Sequence, residues 1–539
     1  MAKWSTVGIL GCAQFVMVLD STVMNVSIST VVSDLHTTVA AMQATITFYT
    51  LTMAAVMLLG AKLGDVWGRR RAFVIGAIVY SVGSLITGLS PNIVFLFVGW
   101  AVIEGLGAVL VIPAIAALVA DNYTGRGRVT AFAIIGAISG AAVAAGPLIG
   151  GLITTYSSWR FVFFGETVVM LVVLLLAHRV ADRSRPERIR LDVLSVLLSA
   201  AGLVLIVFGM LQSKSWGWVL PIVPPMIGGV PITPLGLSLV PYLIAAGIAL
   251  VWWFFVRQRH LVAVGRTPLL QISMFSIGQL RSGLGVLSAQ YAVTAGLFFM
   301  VPIYLQMTLG LDALSTGLRI FPLSIALILF SVVGTWLSRR WSPKRIVRVG
   351  QLILVASSLF LLASVSTDLK SVAFGVGMFF AGAALGLLAS QLANVNMSSV
   401  SERESSEVGG LQGVFQNLGS SLGTALIGSV LIASLGTAFV SGVNSSTLPE
   451  SAKAAVSQAT QSGVAIVPAA TVPTIAAKAG LSSADGAALT KLYSQAQVDA
   501  LRISFFALTV IGALALFLAR NIPHVPPVAQ PKRKRRAAA

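Results

Sequence analysis

Long apolar runs recur along the chain, and every second break between them is rich in Arg and Lys. A helix needs about 20 mostly apolar residues to cross a bilayer. Runs of that length fall at 7–30, 43–63, 72–90, 93–118, 130–154, 161–180, 192–211, 238–256, 282–305, 314–337, 346–365, 371–395, 409–434 and 502–520, which predicts fourteen spans. The runs are continuous rather than alternating, which excludes a closed β-barrel. Two breaks are unusual. Residues 213–237 are rich in Pro and Gly. Residues 435–501 form a long segment rich in Ala, Ser and Thr, whose last third, from Ser482 to Arg502, has the composition of a helix lying on the membrane surface.

The basic breaks set the orientation. They hold Lys62 with Arg69, Arg70 and Arg71; Arg126 and Arg128; Arg183, Arg185, Arg188 and Arg190; Arg257, Arg259 and Arg266; and Arg339, Arg340, Lys344, Arg345 and Arg348. The tail adds Lys532, Arg533, Lys534, Arg535 and Arg536. By the positive-inside rule both termini are expected in the cytoplasm, which an even number of spans allows. A bacterial inner membrane, crossed many times, is the expected site.

Composition agrees. Of 539 residues 56% are hydrophobic and only 10% are charged, with mean hydropathy +0.92. A soluble domain carries about 25% charged residues. The net charge of +19 is scattered between apolar runs, so nucleic acid is not an expected partner; membrane lipids are. Cys12 is the single cysteine, which excludes an intramolecular disulfide and a Cys-clustered metal site. The first run lacks a cleavage pattern and reads as a retained helix.

Between the second and third runs stands Gly60-Ala61-Lys62-Leu63-Gly64-Asp65-Val66-Trp67-Gly68-Arg69-Arg70-Arg71. Gly68 permits a tight turn, Asp65 can accept hydrogen bonds from a neighbouring helix N-terminus, and Arg69 can pair with Asp121. In the fifth run, Gly136, Gly140, Gly146, Pro147, Gly150 and Gly151 combine a Gly-x-x-x-Gly spacing, which lets helices approach closely, with a proline that bends the helix. The first of these stretches resembles the signature loop of the major facilitator superfamily. The Gly-Pro-x-x-Gly-Gly arrangement resembles the motif of its antiporters. Leu19-Asp20-Ser21-Thr22-Val23-Met24-Asn25-Val26, Trp159-Arg160-Phe161-Val162-Phe163, Tyr304-Leu305-Gln306 and Gly317-Leu318-Arg319-Ile320-Phe321-Pro322 are similar to segments of its fourteen-helix drug:proton antiporters. Ala101 stands where that group usually carries Arg, and Glu104 where it carries Gln.

The resemblance implies an all-α membrane protein with two six-helix bundles and two inserted helices, working by alternating access. Residues 1–181 and 263–525 would be the bundles, 182–262 the inserted pair with its linkers, and 526–539 a basic cytoplasmic tail. Asp65, Gly68, Arg69, Arg70 and Asp121 would form a gating loop, and Gly140, Gly146, Pro147, Gly150 and Gly151 the antiporter motif.

Three acidic residues, Asp20, Glu104 and Glu166, lie well inside runs. An ionised group at the bilayer centre costs at least about 2.5–3.5 kcal/mol, so such residues point to function. At 1.5 Å rise per residue, Asp20 lies roughly 20 Å from the start of its helix and Glu166 roughly 10 Å from the far face. These depths nearly coincide in a core of about 30 Å, with Glu104 near the middle of its run. Each could carry a proton or hold a cationic solute, and competition between the two would couple them. Asn25 and Gln306 join them as candidate proton or substrate residues. The expected function is efflux of amphipathic, often cationic, organic compounds driven by proton entry, by a monomer without cofactor or metal. Export of an amino acid, lipid or other metabolite on the same scaffold is the alternative. No nucleophile motif, metal-ligand spacing or P-loop supports an enzyme or an ATP-driven pump, and no long cytoplasmic stretch supports a receptor.

Overall fold

A computed structural model describes residues 4–123, 125–182, 192–368, 371–400, 405–460 and 464–523. The Arg183–Arg190 stretch and the basic tail lie outside the described residues. Among the described residues, fourteen helices are long and apolar enough to cross a membrane. They are α1 (Ser5–Val26), α2 (Val39–Trp67), α3 (Arg69–Gly88), α4 (Ile93–Asn122), α5 (Gly125–Tyr156), α6 (Arg160–Leu176) and α7 (Val193–Trp216). Then come α8 (Val240–Ala263), α9 (Gly278–Thr308), α10 (Ala313–Leu337), α11 (Pro343–Ser364), α12 (Ser371–Met397), α13 (Ser405–Asn444) and α14 (Ser483–Leu518). Side-chain caps fix several starts. Asn92 accepts from the amides of Val94 and Phe95 at 3.0 and 3.1 Å, and Asp312 accepts from that of Ser315 at 2.6 Å. The Pro/Gly-rich break folds a two-residue hairpin pairing Met226–Ile227 with Val230–Pro231.

Packing repeats with an offset of eight helices. In the first six, α1 packs on α5 and α6, α3 on α4 and α6, and α2 on α4. In the last six, α9 packs on α13 and α14, α11 on α12 and α14, and α10 on α12. The halves meet through α2 against α13 and α5 against α10, two pairs that the offset interchanges. This is the contact pattern of two parallel repeats about an axis along the membrane normal. The inserted α7 and α8 cross tightly, because a Cβ on Gly202 would lie 2.9 Å from the Gly247 carbonyl.

The two ends of the bundle differ. Toward the end opposite the Gly68 turn, the halves touch: a Cβ on Gly151 would lie 2.6 Å from the Ala313 carbonyl, and Leu314 N–H donates to Thr155 at 3.0 Å. Gly136 and Gly140 continue the face of α5 that carries Pro147 and Gly151, yet nothing lies within 4 Å of a Cβ on either. The α5–α10 seam is therefore closed at one end and parted toward the basic end.

One expectation needs correction. The stretch from Ser482 to Arg502 does not lie on a membrane surface; it is the leading half of α14, which runs 36 residues as one helix. Ser482 caps it by accepting from the Asp485 amide at 3.1 Å, and no breaker interrupts it before the apolar run. Its buried face then packs on the extended α13, with Tyr493 edge-on to Phe439 at 5.3 Å. Two short helices, Glu450–Ala459 and Val472–Lys478, lie elsewhere in that segment.

Candidate functional site

Asp20, Glu104 and Glu166 come from α1, α4 and α6, are 1%, 0% and 3% exposed, and converge. Each offers an oxygen within 4.8 Å of the others. The helices around them supply donors that the sequence did not single out. Trp100 of α4 points its indole N–H at both oxygens of Asp20, at 2.9 and 3.0 Å. Tyr49 of α2 stacks on Trp100 with centroids 4.9 Å apart and rings 15° from parallel. Tyr80 and Ser84, one turn apart on α3, donate to Glu166 Oε2 at 3.1 Å each. Both oxygens of Glu104 and Oε1 of Glu166 have no hydrogen-bond partner among the described residues, and no ion pair is made to any of the three.

Glu104 closes a π-helical stretch, Phe97–Glu104, in which the backbone is wound wider than an α-helix. Such turns cluster at functional positions because the extra residue re-aims the side chains around it. The crossing behind Glu104 is close as well: a Cβ on Gly83 of α3 would lie 2.5 Å from the Glu104 amide nitrogen.

Three carboxylates at this spacing cannot all be ionised without a cation among them. Two charges 4.8 Å apart repel by roughly 3–4 kcal/mol even at an effective dielectric of 20. The cluster can therefore exchange protons or accommodate a positive charge, and its open oxygens are spaced to share either.

Asn25 and Gln306 do not join this cluster. Asn25 donates to the Ser21 carbonyl at 3.0 Å, within its own helix. Gln306 lies in a second π-helical turn, Tyr304–Thr308, and bridges the halves at their closed end. Its amide donates to the Val26 carbonyl at 2.8 Å and its oxygen accepts from Ser29.

The turn between α2 and α3 is built largely as its residues suggest. Gly68 has φ +91°, a conformation side chains rarely adopt. Arg69 pairs with Asp121 of α4. The amide of Arg70 donates to Asp182 at 2.9 Å, so a residue unforeseen in the sequence caps the N-terminus of α3. Asp65 lies on the last turn of α2. In α5, a Cβ on Gly146 would overlap Thr22, and one on Gly150 would lie 2.8 Å from Val23, so these two glycines seat α1; Pro147 and Gly151 face α10, and Gly140 faces the parted end. The Trp159–Arg160 pair braces the closed end. Trp159 donates to Asp34 at 3.0 Å, Arg160 pairs with the same carboxylate, and Arg160 also donates to the Ser90 carbonyl at 3.0 Å. Burial opposes charge on Asp34, but Arg160 and Trp159 outweigh it and hold the carboxyl below its usual value.

The model of the Major Facilitator Superfamily matches residues 10–209 and 215–424. The chain belongs to the major facilitator superfamily. It is therefore a multi-pass membrane transporter of small molecules, not an enzyme. It is 29% identical over 434 residues to the puromycin resistance protein of Streptomyces alboniger, covering 79% of this chain and 82% of that one. It is 27% identical over 523 residues to the tetracenomycin C resistance and export protein of Streptomyces glaucescens, covering 96% of this chain and 90% of the other. A bacterial homolog of the human lysosomal transporter Spinster superposes with TM-score 0.61 at 16% identity, over 96% of this superfamily member and 97% of that chain, a likeness of fold.

Proposed function

We propose that this transporter exports amphipathic, often cationic, organic compounds of the antibiotic and drug class in exchange for protons. The observation that carries the reading is the buried cluster of Asp20, Glu104 and Glu166, with oxygens within 4.8 Å of one another and no ion-pair partner among the described residues. A proton or a cationic solute can neutralise it, and the two compete. Each proton that enters down a 100 mV potential releases about 2.3 kcal/mol, which drives solute the other way. The resistance and export relatives support the outward direction and the substrate class.

In this reading the basic end faces the cytoplasm of a bacterial inner membrane, as the Arg-rich turns favour. The described conformation is then parted toward the cytoplasm between α5 and α10 and closed toward the outside, while α2 and α13 stay in contact, where a Cβ on Gly413 would lie 3.5 Å from Met57. Residues 1–181 and 263–525 rock against each other, residues 182–262 carry the inserted pair, and the Arg69–Asp121 turn rearranges as the cytoplasmic end closes. The unit is a monomer in contact with lipid, without nucleic acid or cofactor beyond the proton.

The test is transport in proteoliposomes with an imposed proton gradient and a panel of cationic and polycyclic drugs. Wild type should accumulate at least one of them against its gradient and release protons when substrate is added. Asp20→Asn should fold but lose both. Movement of every panel compound unaffected by the gradient would refute proton coupling.

A further inference from the structure

The inserted helix α7 does more than lengthen the chain: it lies over the seam between the two halves. Leu51 of α2, Val207 and Leu211 of α7 and Ala425 of α13 form one buried apolar cluster. Polar contacts reinforce it. Ser429 of α13 donates to the Met210 carbonyl of α7 at 3.0 Å, and Ser421 donates to the Thr47 carbonyl of α2 at 3.1 Å. At the centre is Gln43, on the second turn of α2 and fully buried. Its amide nitrogen donates to the carbonyls of Thr424 and Ala425 at 3.1 and 3.2 Å, and its oxygen accepts from Lys214 Nζ at 3.0 Å. Gly428 makes the notch it occupies, since any Cβ there would overlap the Gln43 amide.

One side chain thus satisfies three groups on two other helices. The Thr424 and Ala425 carbonyls already accept within α13, so their second lone pairs are available only to a donor held at this point. A half-buried ammonium needs an acceptor, and the Gln43 oxygen provides one. These contacts all lie toward the end where the halves are closed, and they must slide or break if α2 and α13 part there. We propose that Gln43 and Lys214 are positioning residues of the transport cycle, through which the inserted pair holds the outer seam shut and sets how often the transporter opens outward.

The experiment uses the full chain in a Cys12→Ala background, with Thr47→Cys as reporter because Thr47 is buried in this seam. A membrane-impermeant thiol reagent is added to the face opposite the Gly68 turn, and the labelling rate is read. Gln43→Ala should label about tenfold faster, the scale of one or two lost hydrogen bonds. Gln43→Glu keeps the volume and the Lys214 partner but replaces the amide donor with an oxygen facing two carbonyls, so it should also label faster. Lys214→Met should give a smaller rise, and Lys214→Arg should stay near the parent. A seam merely filled by Gln43 would leave Gln43→Glu at the parent rate. That result, in protein that elutes as a single folded species, would overturn the proposal. So would labelling that accelerates only from the basic face. Asp20→Asn should leave the parent labelling order of these variants intact, which separates failure here from failure of the proton reading.

Discussion

The two halves of the molecule share a packing plan but not a chemistry. In α1, α4 and α6 the buried polar groups that meet are the carboxylates of Asp20, Glu104 and Glu166. In the equivalent α9, α12 and α14 the buried side chains include the neutral amides of Gln290, Gln391, Asn396 and Gln497, which are spread along their helices and bond to separate carbonyls where they are paired. Gln290 donates to the Leu385 carbonyl at 3.3 Å and Gln391 to the Gly334 carbonyl at 3.1 Å, bonds that fasten helix to helix. The glycines, by contrast, are duplicated. Gly146 and Gly150 seat α5 on α1, and Gly419 and Gly423 seat α13 on α9, where added Cβ atoms would overlap the Ser288 and Ala292 carbonyls. Close helix contact is needed in both halves because both must move as rigid bodies. A cluster of buried carboxylates is present in only one, among the described residues.

The largest test of this asymmetry is neutralisation. If one proton is lost per cycle, the solute gradient sustained at 100 mV should fall about fiftyfold, since 2.3 kcal/mol no longer reaches the solute. Asp20→Asn and Glu166→Gln should each show that fall in proteoliposome accumulation. Gln391→Leu and Gln290→Leu should keep the gradient within about twofold and reduce yield or thermal stability instead, since they remove an interhelical hydrogen bond worth about 1 kcal/mol. A collapse of coupling in the amide variants would erase the distinction between the halves.

A middle-sized test addresses what the halves share. Gly146→Ala and Gly423→Ala should each destabilise the protein by about 1–3 kcal/mol through overpacking. Gly140→Ala has open space around it and should fall within about 0.5 kcal/mol of the parent. Thermal unfolding of the detergent-solubilised variants reads all three. Equal costs at Gly140 and Gly146 would mean that α5 is packed uniformly along its length.

The spans and the carboxylates were legible in the sequence because lipid imposes a simple rule: continuous apolar runs, interrupted only where a polar group has a task. The depths of Asp20 and Glu166 along their helices place them at one level, and the Arg69–Asp121 pair follows from their positions at one end of neighbouring helices. The donors were not legible. Trp100, Tyr80 and Ser84 look like ordinary span residues, and their role depends on which helix faces which. The π-helical turns at Glu104 and Gln306 leave no periodicity signal in eight and five residues respectively. On its helix alone Gln306 reads as a candidate proton or substrate residue, whereas its partners Val26 and Ser29 lie across the seam. The long α14 was missed because a span rule stops counting where polar residues begin, while a capped helix does not.

The smallest expected effect lies outside both halves, where α7 and α8 are pinned at the basic end. Arg257 donates to both oxygens of Asp192 at 2.7 and 2.6 Å, and Gln258 donates to Ser195 at 2.6 Å. The Arg257 guanidinium, helped by Ser195, holds the Asp192 carboxyl down at about 2. A carboxyl depressed in the folded state adds stability that is fully present above its ordinary value near 3.8 and is lost as pH falls toward about 2. Both side chains are partly exposed, so water screens the pair and its contribution should be about 1 kcal/mol rather than the full shift. Asp192→Asn should therefore lower the unfolding midpoint by about 1–2 °C at neutral pH, and the gap to the parent should close between pH 4 and pH 2. Proton-coupled transport should be unchanged, because this pair fixes the inserted helices to each other and touches neither the carboxylates nor the seams between the halves. A loss of coupling in Asp192→Asn would instead make the basic end of the inserted pair part of the moving machinery, and α7 would then act along its whole length rather than at Gln43 alone.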